Sequence, residues 1–237
     1  MKLSFKKFLP HIISVVIMAI VAMIYFAPQL KGKVVSQGDI INFKAMAKEA
    51  TDFQEETGET ALWTNSMFGG MPTYQISAPQ KNNLMKYVER ALQLGMARPI
   101  GYFIMGMLLF YVLMIGLGAQ SWVALIAAIA FGLSTNHMVL YEAGHTSKIR
   151  AIFTIAPILL GMVLSYRGKW IWGGILFAIG MGMNIHANHI QMTYYFALYA
   201  LIYVVWKAVQ AIRAGEVQQF VRGSVVLLAG LILALGA

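Results

Sequence analysis

The sequence predicts an all-α polytopic membrane protein with about seven transmembrane helices. A large extracytoplasmic loop between the first two carries two amphipathic juxtamembrane helices. Three observations predict this. Hydrophobic residues make up 59% of the 237 and charged residues only 11%, a balance too apolar for a soluble domain. Apolar runs repeatedly approach or exceed the roughly 18 residues that cross a bilayer. Basic residues stand in small groups between those runs, so the net charge of +9 reads as membrane orientation rather than a nucleic-acid stripe. No nucleic-acid partner is expected. The chain has no cysteine, which excludes disulfides and thiolate metal sites.

Three organisational regions follow. Residues 1–28 form a cytoplasmic N-terminus and the first transmembrane helix. Lys2, Lys6 and Lys7 precede an apolar run from His11 to Pro28, which is long for a signal-peptide core, and Pro28-Gln29 is a poor cleavage site. Residues 29–98 form the extracytoplasmic loop. From Lys31 to Arg98 it holds eight Lys or Arg against seven acids, so it is nearly neutral. Ser36-Gln-Gly-Asp39 reads as a helix start of capping-box type. Ile40, Phe43, Ala47, Ala50 and Phe53 then recur at helical spacing, giving an amphipathic helix over 39–56 that Gly58 ends. Gly69-Gly70-Met-Pro72 is loop chemistry, and Asn82 to Leu94 is a second amphipathic helix.

Residues 99–237 form the transmembrane bundle, with spans at 99–117, 121–137, 150–166, 170–186, 193–209 and 222–237. Inner segments then hold Lys2, Lys6, Lys7, Arg167, Lys169, Lys207, Arg213 and Arg222, whereas the short outer loops hold only Lys148 and Arg150. That asymmetry puts the N-terminus inside. The chain stops inside an apolar run, and a C-terminal truncation of a longer protein is expected.

The chemistry concentrates in Tyr141-Glu-Ala-Gly-His-Thr-Ser-Lys-Ile-Arg150. Glu142 is the one acid between Glu89 and Glu216, and His145, Lys148 and Arg150 follow it. Such a cluster near a bilayer usually faces a cavity or pathway; a solvated loop that fixes topology is the plainer reading. Asp39, His186, Asn188 and His189 are expected at the same outer face. His186 and His189, at i, i+3, share a helical face, but two histidines are a weak metal signal, and hydrogen-bonding roles fit them better.

Several phrases together resemble the bacterial YfhO-like membrane protein family, within the GT-C-type membrane glycosyltransferases. They are Ser36-Gln-Gly-Asp39, Glu55-Glu-Thr-Gly58, Leu62-Trp-Thr-Asn-Ser-Met-Phe-Gly-Gly-Met-Pro72, Glu142-Ala-Gly-His145, and His186-Ala-Asn-His189 followed by Gln191-Met-Thr-Tyr194. The resemblance covers the amino-terminal part of such proteins. It implies transfer of a sugar from a polyprenyl-phosphate-linked donor, in contact with membrane lipid, to an extracytoplasmic acceptor. By position it implies Asp39 and Glu142 in the active site; the chemistry of the neighbouring side chains adds His145 to that catalytic group and Lys148 and Arg150 on the donor phosphate, with His186, Asn188 and His189 as candidate lining residues. A divalent cation such as Mg or Mn is compatible with oxygen ligands, although neither loop carries the Asp-x-Asp or Glu-x-Asp pair of the metal-binding version. A transporter or flippase, which would need polar groups at mid-depth and an internal repeat, and a non-catalytic membrane scaffold are the alternatives.

Overall fold

In a computed structural model, residues 5–76 and 83–237 are described. Lys2 and Asn82, used above, lie outside them. Among the described residues, seven helical segments are long and apolar enough to cross a membrane. The chain is therefore read as a multi-pass membrane protein.

The first is α1 (Phe5–Tyr25), which runs into the short α2 (Ala27–Leu30). The following segment carries α3 (Gly38–Met46), α4 (Lys48–Thr57) and a two-stranded antiparallel pair, β1 (Trp63–Thr64) and β2 (Met71–Pro72), with Trp63 opposite Pro72. Then comes α5 (Met85–Leu92). Three hairpin-like pairs follow: α6 (Ile100–Leu117) with α7 (Ser121–Gly132) and its continuation α8 (Thr135–Ala143); α9 (Thr146–Tyr166) with α10 (Trp170–Ala187); and α11 (Ile190–Ala214) with α12 (Val217–Leu235).

The seven spans agree with the apolar runs because run length alone sets them. Two details differ. The expected helix over 39–56 is two helices, broken at Ala47. Phe43 and Phe53 keep 42% and 41% of their surface exposed, so neither is buried against the bundle. The polar run at 141–150 is mostly helical: only Gly144 and His145 separate α8 from α9.

The core lies on α6, α9 and α10. Phe103, Met105, Ile149, Phe153, Leu160 and Met183 are buried there, and Phe103 and Phe153 meet edge to face with ring centroids 6.1 Å apart. Between apolar helices in lipid, close packing rather than water exclusion holds such contacts. The α9–α10 pair is the tightest because small residues face it. A Cβ on Gly161 would stand 2.6 Å from the Phe177 backbone nitrogen, and one on Gly173 2.6 Å from that of Ser165. α11, by contrast, buries almost nothing.

The short turns make successive spans antiparallel. One end of the bundle therefore carries residues 26–76 and 83–99 and the turns at 144–145 and 188–189. The other carries the turns at 118–120, 167–169 and 215–216.

Candidate functional site

The site is built where α3 meets the α8–α9 turn. α8 ends at Gly144, whose φ of +99° is a left-handed conformation open to glycine at little cost. The absent side chain also makes room: a Cβ there would lie 3.1 Å from the Asp39 Cβ and 3.2 Å from the Ile40 nitrogen. α3 thus sits directly on the turn. The Gln37 side-chain amide donates to the Tyr141 carbonyl, and His145 Nδ1 lies 2.9 Å from Asp39 Oδ2. Residues 37–40 therefore clasp residues 141–145.

Local chemistry favours this placement. Asp39 occupies the first turn of α3, where the helix dipole favours a carboxylate. Ser36 does not cap this helix. Gln37 holds the capping position without a side-chain cap bond, since its amide is spent on Tyr141. His145 stands just before α9, and its carbonyl accepts from Ile149 N–H at 3.1 Å. Asp39 and His145 are each about half exposed, 49% and 48%, so their contact adds little stability but stays reachable by a substrate. An open depression lined by Asp39, Asn42, Ala45 and Met46 leads to it.

The other expected residues divide. Glu142 is exposed on α8 and, among the described residues, makes no ion pair. Lys148 is half-buried on the first turn of α9 and lies within Coulombic range of His189. Arg150 is engaged elsewhere. Its Nε and Nη2 donate to Glu89 Oε2 and Oε1 at 3.0 and 2.7 Å, with the two side chains only 14% and 6% exposed. This fork-to-fork pair ties α5 to the bundle and holds the side chain expected on a phosphate against Glu89. His186 lies within Coulombic range of Arg150, Glu89 and Lys86 and belongs to that buried charge cluster.

His186 and His189 do not share a helical face. α10 ends at Ala187, and Asn188 turns the chain with a φ of +54°, a conformation asparagine tolerates better than most residues. Asn188 is thus the turn residue, and His189 caps α11 by accepting from the Met192 N–H at 3.4 Å. Burial, with the positive Lys148 nearby, holds the His189 ring below the usual histidine range, although a bond to its own backbone pushes the other way. That keeps it neutral and able to accept.

Comparison with known protein families, curated proteins and solved structures finds no match to this chain. Function must be argued from the site.

Among the described residues no three His, Asp or Glu side chains come together as a metal site. Asp39 and His145 supply two such groups and are spent on one another. The residues present thus do not fit a dedicated cation site, and no step below runs through one. What the pair can do is move a proton. A carboxylate on Nδ1 fixes the tautomer and leaves Nε2 as the acceptor.

Sequence reasoning missed three positions. Glu89 was counted only in the loop's charge balance. Gln37 was passed over inside Ser36-Gln-Gly-Asp39. Asn184, 1% exposed, joins three helices: its amide donates to the Ala151 carbonyl at 3.0 Å and to Thr154 Oγ1 at 2.9 Å, and its oxygen accepts from Thr193 Oγ1 at 2.6 Å. An asparagine inside an apolar run is the signal that could have found it.

Proposed function

We propose that this chain is a membrane glycosyltransferase of the GT-C type, moving a sugar from a polyprenyl-phosphate-linked donor to an extracytoplasmic acceptor. The same reading puts it in the bacterial cytoplasmic membrane, as the resemblance implies, with its N-terminus inside, which the Lys/Arg asymmetry supports. The resemblance to the YfhO-like family is part of the same proposal.

The observation that carries it is the half-exposed Asp39–His145 pair at the end of the bundle that carries α3 and the α8–α9 turn. In the reaction, His145 Nε2 takes the proton of the acceptor hydroxyl while Asp39 orients and steadies the imidazolium that forms. The acceptor oxygen bonds to the anomeric carbon from one face. The carbon–oxygen bond to the lipid phosphate breaks on the other, and the electron pair leaves with the phosphate. Lys148, three residues further along, offsets that charge. Glu142 stands on the same surface and suits an acceptor contact. Transport is the weaker reading, since the polar Asn184–Thr193 contact lies one turn from the end of α10 rather than at mid-depth.

The test is sugar transfer from a synthetic polyprenyl-phosphate sugar in proteoliposomes. Asp39→Asn keeps the shape and removes the charge, so transfer should fall by a factor on the order of 10² with donor binding retained. Normal transfer by that variant would make Asp39 structural and sink the assignment.

A further inference from the structure

We propose that the pocket between the end of α1, residues 33–35 and the start of α6 binds the phosphate headgroup of a membrane lipid, with Lys33 and Arg98 as its cations. The pocket encloses about 300 Å³, within the lower range of small-ligand sites. Phe26, Val34, Val35 and Pro99 give it apolar walls, and no carboxylate lines it. Neither cation makes an ion pair among the described residues. Arg98 lies with its guanidinium carbon 4.9 Å from the centroid of the Tyr102 ring. Stacking of that kind uses the face of the group and leaves its edge donors free for phosphate oxygens.

An unpaired double positive charge against an apolar wall selects an anion with a hydrocarbon attached. A free phosphate would leave the walls unused, and a neutral lipid would leave both cations unanswered. The pocket also stands at headgroup depth, because Tyr25 ends the first span and lines the opening. Basic pockets between membrane helices are known to hold anionic headgroups.

The neighbourhood gives the site its place in the chemistry. Tyr141 lines the pocket and accepts the Gln37 amide, and Asp39 follows two residues later. A phosphate held by Lys33 and Arg98 would therefore share Tyr141 with the segment that carries the Asp39–His145 pair. Naming that lipid as the sugar donor rests on the proposed function; the binding itself does not. With Arg150 committed to Glu89, Lys33 and Arg98 supply the charge that the sequence had placed at Arg150.

The experiment uses the full chain in nanodiscs of zwitterionic lipid and farnesyl phosphate as probe, with farnesol and inorganic phosphate as controls. Wild type should bind farnesyl phosphate and neither control. The Lys33→Ala/Arg98→Ala double variant should weaken binding by about tenfold or more, and Lys33→Arg should keep most of it. Val35→Trp should block the pocket with both charges intact, and thermal unfolding checks that each variant is folded. Undiminished binding in the double variant and in Val35→Trp, or equal binding of inorganic phosphate, would overturn the proposal. Transfer measured on the same samples separates the two ideas. Lost probe binding with full transfer in the double variant keeps the pocket as a lipid-phosphate site, refutes it as the donor site and spares the catalytic reading. Pocket-dependent binding with no transfer by wild type does the reverse.

Discussion

Asp39 Oδ2 and His145 Nδ1 lie 2.9 Å apart, although one belongs to the segment after the first span and the other to the turn between the third and fourth. Gly144 permits the contact, through a φ of +99° and a missing Cβ.

Gly144→Val should break the site. A β-branched residue resists positive φ, at a cost of about 1–2 kcal/mol or more, and its Cβ would press on Asp39 from 3.1 Å. The control is Gly118→Val at the opposite end of the bundle. Its φ of +104° is as demanding, but nothing lies within 4 Å of the added Cβ. Both variants should lose similar thermal stability, while only Gly144→Val loses transfer, by an order of magnitude or more. Equal transfer by the two would show that the close seating of α3 is irrelevant to activity.

A pH-dependent change is expected away from the site. Glu49 Oε2 accepts from Thr64 Oγ1 at 2.5 Å and from the Ser66 N–H at 2.8 Å. These bonds, with those from Asn65, lower its carboxyl from the usual 4.5 to about 2. A depressed folded-state value means that the contribution is present above about pH 4.5 and is lost as pH falls toward 2. Trp63, beside the anchored loop, should change its fluorescence in that window. Glu49→Gln should show no such transition; a transition that persists in it belongs to another group.

How much of this was legible in the sequence follows from what each feature depends on. Span positions depend on run length, and all seven were readable. The left-handed turns at Gly144 and Gly118 were suggested by glycine at the ends of apolar runs. The break at Ala47 was not, because strong helix formers flank it and neither glycine nor proline marks it. The kink between α7 and α8 was hidden too: His137, the last residue of the run at 121–137, is buried, with Nδ1 2.8 Å from the Phe131 carbonyl and its ring edge-on to Phe153. For the site, Asp39 and His145 were named separately from local pattern. The partner of Arg150 could not be, since a nearly neutral loop does not reveal which of its seven acids is the buried one.

That partner yields the sharpest stability test. Glu89 and Arg150 are 6% and 14% exposed, so removing one leaves the other charged and poorly hydrated. Arg150→Ala should destabilise by about 3–5 kcal/mol, read as early thermal unfolding in detergent. Replacing both, as Glu89→Leu with Arg150→Met, removes the two desolvation costs together and should recover most of the loss. The double variant also separates the two roles considered for Arg150. As a tie between α5 and α9, it is dispensable once Glu89 is gone, so farnesyl phosphate binding should match wild type. As a phosphate ligand, it would be missed in both variants alike, and binding would fall in the stable double variant too. Weak binding in a folded double variant would therefore return Arg150 to the phosphate, whatever its contact with Glu89.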